Sequence, residues 1–416
     1  MPTARRRPCA GQSESESADD TLLQYARAAR CTDSGEESGH ASHRVDAFGV
    51  DLYGQFDLIT GLGESSRGYA RALQTFDVPV HLVSLSSMYP GLATVDSGLT
   101  SDPRRFPLAI EHVNADTTDR FLRRFGGALA GTRARIAVWY WELAALRPDW
   151  VQNALHYDEI WVASAYGQRA VSAVTNVPVV VVPPPVTLSS GAGGAPSREA
   201  CGIPSDAFVF LYVFDYSSYV DRKNPFCLVD TFVDEFGAEP DVCLVLKVSH
   251  ADPRSVGFQR LCETATAHPN ITLIHEVFDD AALHALFTRA DCYVSPHRSE
   301  GFGLTVAEAM LRGCPVIATD YGSTTDFVTP ETGFPLEYML VEIAEDQGPY
   351  QRGYVWADPS REHLRVLMRQ VVTDVVATKH RAEAGRRFIE ERYSLRAVGE
   401  RMVGRLRRLH DESADA

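Results

Sequence analysis

The sequence predicts an α/β protein built from two doubly wound domains. First, the chain has 416 residues, more than a single hydrophobic core usually holds. Second, short Val/Ile-rich runs alternate with helical patterns in both halves, which is typical of parallel sheets covered on both faces. Third, a triple proline at 183–185 and a Gly/Ser-rich stretch at 189–194 interrupt this alternation and indicate a domain boundary.

Apolar runs give the strand candidates of each half. In the first half they are 80–83, 108–110, 135–139, 159–162 and 179–182. In the second half they are 208–213, 243–247, 272–274, 293–294 and 316–318. Two such sheets facing each other would place a ligand in the deep cleft between them, at the carboxyl ends of the strands.

We expect four segments along the chain. Residues 1–44 are rich in Ser, Glu and Asp and have little to bury, which predicts a disordered extension. Residues 45–188 and 197–376 are the two Rossmann-like domains. The tail 377–416 alternates Arg with Glu in a helical pattern and is expected to pack back across the domains.

Composition excludes several classes of protein. A formal net charge of −15 argues against non-specific nucleic-acid binding. The eight cysteines are scattered without a CxxC pair, which is typical of a reduced protein, and Cys and His show no metal-site spacing. No apolar run approaches the ~18 residues of a membrane span, and no apolar segment follows the N-terminal arginines. We therefore expect a cytoplasmic location.

The stretch 299–310 carries the strongest functional signal. Glu300 and Glu308 flank a turn with Gly301 and Gly303, and helical spacing begins directly after it. A helix N-terminus exposes amides that bind anions, and neighbouring carboxylates can accept hydrogen bonds from hydroxyls. A plain helix start would explain one glutamate through the helix dipole, but not the whole cluster. The pattern favours a ligand with both phosphate and hydroxyls, such as a nucleotide sugar.

This stretch resembles the E-x7-E signature of family-4 glycosyltransferases of the group 1 type, which are retaining enzymes of the GT-B fold. Residues 295–299 and 313–319 also fit that family's pattern. The resemblance implies that 45–188 is the acceptor domain and 197–376 the donor domain. It also implies that Glu300 contacts the donor sugar and Glu308 the ribose. The amides that would meet the sugar or diphosphate belong to Gly301, Phe302, Gly303, Leu304 and Thr305.

A second motif places two cations, Arg222 and Lys223, where a loop leads into a helix. Cations are mildly unfavourable at a helix start, which favours a role in binding a diphosphate. Lys223 matches the phosphate-binding lysine of the resembled family. Its members often carry an arginine six residues earlier, where this chain has Ser217. We predict Ser217 near the donor, with Arg222 or Lys247 supplying the missing charge.

The glycine-rich turn 61–68 precedes a helix in the first half. Its spacing is not GxGxxG and no acidic residue ends the next strand, so NAD binding is not favoured. The resemblance places this turn opposite the donor diphosphate, with Gly63 as a contact. A turn with a purely structural role remains the alternative.

Acceptor-side candidates are less well defined. The resembled family often has a histidine near the end of the strand 135–139, whereas this chain has Trp141 and Glu142. We predict that Trp141 stacks on a sugar and that Glu142 binds a hydroxyl. His112 is equally an acceptor-site group or a structural histidine.

The expected function is retaining transfer of a sugar from a nucleotide-diphosphate donor to an acceptor hydroxyl or amine. The acceptor would be a saccharide, a lipid-linked molecule or a small molecule, in polysaccharide, glycoconjugate or natural-product biosynthesis. No cofactor, metal or nucleic acid is expected, and peripheral membrane contact is left open. The alternatives are a catalytically idle nucleotide-sugar-binding protein and a GT-B epimerase or phosphorylase.

Overall fold

The computed structural model describes residues 47–92, 94, 106–188, 206–278 and 280–414. The predicted disordered extension 1–44 and the Gly/Ser-rich boundary 189–194 lie outside the described residues. Two six-stranded parallel sheets dominate the described part of the chain. This arrangement confirms the prediction of two doubly wound α/β domains.

The first sheet has the strand order β2-β1-β3-β4-β5-β6. Its strands are β1 (Val50–Gly54), β2 (Val80–Ser84), β3 (Leu108–Glu111), β4 (Ala134–Trp139), β5 (Glu159–Val162) and β6 (Val179–Val181). Its α-helices are α1 (Gly61–Gln74), α2 (Thr118–Phe125), α3 (Pro148–Val151) and α4 (Ala165–Ser172). Three of these strands, β1, β3 and β5, are buried along their whole length, as expected for a sheet with helices on both faces.

The second sheet has the strand order β12-β11-β10-β7-β8-β9. Its strands are β7 (Phe208–Asp215), β8 (Val242–Ser249), β9 (Ile271–His275), β10 (Cys292–Ser295), β11 (Val316–Thr319) and β12 (Phe334–Leu336). Its helices are α5 (Val220–Lys223), α6 (Pro225–Phe236), α7 (Val256–Ala267), α8 (Asp280–Thr288) and α9 (Leu304–Leu311). All ten predicted strand runs are confirmed, whereas β1 and β12 were not among the predicted runs.

An antiparallel hairpin also escaped the sequence analysis. It consists of β13 (Tyr338–Glu342) and β14 (Val355–Pro359). β13 is largely exposed, so it lacks the continuous apolar run that marks the buried strands. The segment that joins the two strands packs against the first domain through Ile343 and Tyr350.

The chain ends in three helices, α10 (Arg361–Thr373), α11 (Val375–Tyr393) and α12 (Leu395–Ala414). The last of these returns to the first domain, where Val398, Met402 and Leu406 pack in the same core as Leu52 and Leu73. The prediction that the tail packs back across the domains is confirmed. Within the described ranges, no helix is both long and apolar enough to cross a membrane.

Polar contacts join the two sheets at the cleft. The Ser164 and Ser323 hydroxyl oxygens are 2.8 Å apart, and the Tyr166 hydroxyl donates to the Tyr321 hydroxyl at 2.8 Å. The amide of Ala165, at the start of α4, donates to a carboxylate of the second domain at 2.8 Å. These contacts fix one end of the cleft.

The ion pair between Arg405 on α12 and Glu159 on β5 should contribute measurably to stability. Glu159 is only 1% exposed and accepts hydrogen bonds from the Trp161 indole and from two Arg405 nitrogens. We expect Arg405→Ala to lower the free energy of unfolding by about 2 kcal/mol, because a buried carboxylate loses its cation. Thermal and urea unfolding would measure this change.

The matched control on the same helix is Arg408→Ala, which removes an exposed pair with Glu412. That variant should lose only about 0.3–0.5 kcal/mol, the usual contribution of an exposed helical ion pair. Equal losses in the two variants would contradict a specific role for the Glu159 contact.

Candidate active site

The turn between β10 and α9 is built around a strained position. Gly303 caps α9 with a φ of 90°, a conformation that side chains disfavour. A Cβ atom at Gly303 would lie 2.6 Å from Cγ2 of Thr324. Glycine is therefore required here both by the backbone and by the neighbouring turn.

This turn presents a row of unused amides. None of the amides of residues 301–305 donates a hydrogen bond to any group in the described part of the chain. The amides of Val306 and Ala307 are the first to donate, both to the Gly303 carbonyl at 3.0 Å. A left-handed residue followed by a helix start is an arrangement that binds anions.

Directly before these amides, Glu300 lies in a buried ion cluster. Its side chain is contacted by Lys223 Nζ at Oε1 and by Arg222 Nη1 at Oε2, the latter at 3.2 Å. Arg222 also donates to the Ser299 carbonyl at 2.8 Å. Glu300 is 9% exposed, and Arg222 is buried as well. The structure thus brings together the three residues that the sequence analysis named from two separate motifs.

The one-turn helix α5 is held in place so that it can present both cations. It is flanked by Tyr219 and Asn224, which have φ values of 63° and 52°. The Asn224 side chain donates to the Pro296 carbonyl at 3.1 Å, and the Arg298 amide donates to the carbonyl of Arg222 at 2.8 Å. Left-handed backbone at non-glycine residues costs energy and is concentrated at functional sites.

The cluster shifts the protonation of its members. Burial alone would raise the pKa of Glu300, but Lys223 and Arg222 outweigh burial and hold it at about 2. Burial lowers the pKa of Lys223 despite the neighbouring Glu300 carboxylate. Burial would also lower the pKa of Arg222, but the neighbouring Tyr350, Glu300 and Glu142 raise it above its usual value. Glu300 is therefore a carboxylate at any physiological pH.

Glu142 faces this cluster from the first domain. Its backbone carbonyl accepts a hydrogen bond from the Ser299 hydroxyl, and its Oε1 would lie 3.4 Å from a Cβ atom at Gly301. Burial raises the pKa of Glu142, Arg222 opposes this effect, and the Glu300 carboxylate adds to it. Glu142 therefore lies beside the Glu300 cluster, and its binding of a hydroxyl stays a prediction.

The sequence analysis missed Tyr350, which the β13–β14 hairpin carries into the cleft. Its ring stacks on Trp141 at 5.8 Å between centroids, and the Arg222 guanidinium lies 5.9 Å from its ring centre. The Tyr350 side chain also interacts with the Glu142 carboxylate. No sequence motif distinguishes Tyr350, because the hairpin itself has no strand-like apolar run.

The predicted sugar-stacking role of Trp141 does not fit its position. Trp141 is 5% exposed, lies against Tyr350, and meets the edge of Trp150 at 4.9 Å between ring centroids. Its indole nitrogen donates to the Ala145 carbonyl at 2.8 Å. Trp141 is therefore a core residue next to Glu142. Its position is explained by packing against Trp150 and Tyr350, so its ring is not available to stack on a sugar.

His112 also has a structural environment. It is 1% exposed and its Nε2 lies 2.9 Å from the Ser65 hydroxyl, which in turn contacts the Tyr140 hydroxyl at 2.6 Å. Burial lowers the pKa of His112 to about 4, so the ring is neutral. Of the two interpretations of His112, the structure supports the structural histidine.

Gly63 has a packing role of its own. Its amide donates to the Thr60 side chain at 3.0 Å, and a Cβ atom there would lie 2.2 Å from the Leu58 carbonyl oxygen. Its amide is therefore already engaged in capping α1. The Gly63 amide is therefore not available for the predicted contact with the donor.

Ser217 and Lys247 lie at the ends of β7 and β8. The Ser217 hydroxyl donates to Asp215 at 2.7 Å and is exposed. Lys247 is 6% exposed, with Nζ 5.5 Å from the ring centre of Phe278, and burial lowers its pKa. Neither residue contacts the Glu300 cluster directly, so their donor contacts stay predictions.

The remaining predicted donor residues differ in accessibility. The side chain of Phe302 is buried against Phe327, so only its backbone can meet a ligand. The Thr305 hydroxyl accepts a hydrogen bond from Tyr293 at 2.8 Å. Oε2 of Glu308 lies 3.9 Å from Nη1 of Arg312, the residue that follows α9. Leu304 starts this helix and is half-buried.

His297, which the sequence analysis did not propose as a site residue, is fully buried behind Glu300. Its Nδ1 lies 2.9 Å from the Ser295 hydroxyl and its Nε2 lies 3.2 Å from the Thr324 hydroxyl. Burial lowers its pKa to about 4. Neutral His297 therefore connects Ser295 at the end of β10 with Thr324 in the turn that follows β11.

The geometry of Gly303 can be tested by comparing two glycines with similar φ. We expect Gly303→Ala to destabilise the protein by more than the about 1–2 kcal/mol of left-handed strain, because the new methyl group collides with Thr324. Thermal unfolding measures the loss.

Gly353→Ala is the control, since its φ is 87° and a Cβ atom there would meet nothing within 4 Å. The Gly353→Ala variant should lose only the stability that corresponds to the left-handed backbone strain. The same loss of stability in both variants would mean that the Thr324 contact is unimportant.

The low pKa of Glu300 predicts a pH-dependent contribution to stability. A carboxylate whose pKa is about 2 in the folded protein, below the usual 4.5, stabilises the fold fully above pH 4.5. This contribution is lost as the pH falls from 4.5 towards 2. The difference in melting temperature between the wild type and Glu300→Gln should therefore shrink between pH 5 and pH 3.

Glu345→Gln, which changes an exposed residue, provides the baseline for this comparison. A difference that stays constant from pH 5 to pH 3 would contradict the lowered pKa of Glu300.

Residues 199–387 match the family model described as glycosyl transferases group 1. The chain is 54% identical over 56 residues to the lipopolysaccharide core biosynthesis mannosyltransferase LpsB of Rhizobium meliloti. It is 45% identical over 65 residues to a GDP-mannose-dependent alpha-mannosyltransferase of Mycolicibacterium smegmatis. These matches cover 14% and 15% of this chain, and only 15% and 17% of the two relatives.

Similarity in structure extends over most of the chain. The Anabaena protein Alr3699/HepE, solved in complex with UDP and glucose, superimposes with a TM-score of 0.62 at 14% sequence identity. The superposition covers 86% of this chain and 99% of that protein. At such low identity the likeness establishes the fold, which is GT-B. The chain therefore has the GT-B fold, and its residues 199–387 match the glycosyl transferases group 1 family model.

Proposed function

We propose that this protein is a retaining glycosyltransferase of family 4, which transfers a sugar from a nucleotide-diphosphate donor to an acceptor hydroxyl or amine. The observation that supports this most is the cluster of Arg222, Lys223 and Glu300 next to the unused amides of residues 301–305. Cations and amides suit a diphosphate, and a carboxylate suits sugar hydroxyls. The family match includes all of these residues.

The cations and the amides would act on the leaving group. Negative charge develops on the diphosphate as its bond to the sugar breaks, and preorganised donors in a buried site stabilise such charge strongly. Lys223 and Arg222 are already fixed by Glu300, so they need little reorganisation during the reaction. This part of the chemistry needs no metal ion, and we propose that none is used.

The two glutamates would position the donor. Glu300 is ionised and can accept charge-assisted hydrogen bonds from sugar hydroxyls, while Glu308 on α9 would bind the ribose, as the resemblance implies. Fixing the donor at both ends lets the acceptor approach the face that the diphosphate leaves, which retains the anomeric configuration. The leaving phosphate would take the acceptor proton, so no general base is assigned.

The donor and acceptor are proposed only by class. Two relatives carry mannosyltransferase names, one of them GDP-mannose-dependent, whereas the similar structure holds UDP and glucose. Both kinds of donor therefore belong in any test. We propose a saccharide, lipid-linked or small-molecule acceptor in polysaccharide or glycoconjugate synthesis. Cytoplasmic location, with or without peripheral membrane contact, is part of this proposal.

A catalytically idle nucleotide-sugar-binding protein is the second candidate. Its supporting observation is Ser217, which stands where the resembled family has an arginine and which donates to the Asp215 carboxylate. Such a protein would bind donor without consuming it.

The test is a panel of UDP-, GDP- and dTDP-sugars, with thermal stabilisation and donor consumption as the two measurements. We expect one donor class to stabilise the protein and to be consumed, and Glu300→Gln to reduce consumption at least about 100-fold. With an acceptor that supports transfer, the NMR coupling constant of the anomeric proton should report retention.

Glu345→Gln is the matched control for this panel and should leave consumption unchanged. Stabilisation without consumption by any donor would favour the idle binding protein. If no donor stabilised the protein, the proposed donor site would be wrong.

A further inference from the structure

At the candidate site, the two domains meet at one group of charged side chains. Arg222 and Lys223 contact Glu300 from one side. Glu142 approaches from the other side, with Oε1 3.4 Å from the Cβ position of Gly301. The carboxyl group of Glu142 therefore borders the row of unused amides that begins at Gly301.

This group is electrically balanced when all its members are ionised, because two cations face two carboxylates. A nucleotide diphosphate brings at least two further negative charges into the same buried space. The helix amides offset part of this charge, but uncompensated charge away from water is costly. Neutralising one carboxylate by a proton is the smallest change that reduces this excess of negative charge.

We propose that Glu142 takes up a proton when a nucleotide diphosphate binds, and that it then contacts the donor as a hydrogen-bond donor. This inference rests on the proposed function, since it needs a diphosphate in the cleft. The proton comes from solvent and stays on a carboxyl oxygen of Glu142. A protonated carboxyl can donate to a phosphate or sugar oxygen, whereas a carboxylate would repel the phosphate.

The proton goes to Glu142 because Glu300 cannot accept it easily. Lys223 and Arg222 both bond to Glu300 and hold its pKa at about 2, whereas burial already raises the pKa of Glu142 in the free protein. The groups that face Glu142 are Arg222 and Lys223 on α5, Tyr219 directly before α5, Glu300 in the β10–α9 turn, and Tyr350 in the hairpin. The negative charge of a bound diphosphate would raise the pKa of Glu142 further.

His297 is another buried titratable group, and its proton uptake has to be separated from that of Glu142. It is neutral and lies behind Glu300, with both ring nitrogens close to hydroxyls. A proton taken up by His297 would be unaffected by a change at Glu142, so a Glu142 variant distinguishes the two.

The experiment is calorimetric titration of the full chain with UDP, with GDP and with dTDP at pH 6.5. Each titration is run in two buffers of different ionisation enthalpy, which gives the number of protons taken up. The wild type should take up as much as about one proton more than Glu142→Gln. Wild-type affinity should weaken by up to about tenfold per pH unit above pH 6.5, and the affinity of the variant should change less.

A second variant tests the inference through Tyr350. The Tyr350 side chain lowers the pKa of Glu142, so Tyr350→Phe should raise it and shift the pH dependence of binding towards higher pH. Tyr354→Phe, in the same hairpin segment, is the control and should leave the pH profile unchanged. A merely structural role for Tyr350 would change stability without moving this profile.

The outcomes separate the two proposals. Equal proton uptake by the wild type and by Glu142→Gln, with both binding the nucleotide, would overturn the inference and leave the proposed function intact. If none of UDP, GDP and dTDP bound to the wild type, both proposals would be overturned.

Discussion

The contact of Arg222 and Lys223 with Glu300 is the constraint on which the rest of the site depends. Buried charges are tolerated only when they are paired, so each member fixes the positions of the others. The one-turn helix that carries the cations begins and ends in left-handed backbone, and side-chain and backbone hydrogen bonds tie it to the loop before Glu300. The strain of that backbone is balanced by the ion pairs that it makes available.

The cleft is formed by both domains and by one added element. The second sheet supplies the amides and cations, and the first sheet supplies Glu142 at the end of β4. The β13–β14 hairpin joins them, because Tyr350 lies between Trp141 of the first domain and Arg222 of the second. The aromatic contacts thus set how closely the two charged surfaces approach each other.

Sequence patterns predicted what depends on local periodicity or on a short motif. Continuous apolar runs indicated ten of the strands, and two short motifs indicated Glu300, Arg222 and Lys223 as site residues. The patterns gave wrong predictions, or none, where tertiary packing determines the role of a residue. Trp141 looked like a ligand platform because its partners, Trp150 and Tyr350, are distant or unremarkable in the sequence. Tyr350 and the exposed strand β13 carry no periodic signal, so they could be found only in the folded chain.

The return of α12 to the first domain has a consequence for how the protein is made. Val398, Met402 and Leu406 complete the core around β1 and α1, although more than 200 residues of chain separate them from the last strand of that sheet. At ~5–20 residues per second, the ribosome needs on the order of ten to forty seconds to synthesise that intervening chain. The first domain must therefore wait with part of its apolar surface uncovered, while the second domain can fold. Nascent-chain chaperones would meet this protein at its N-terminal half.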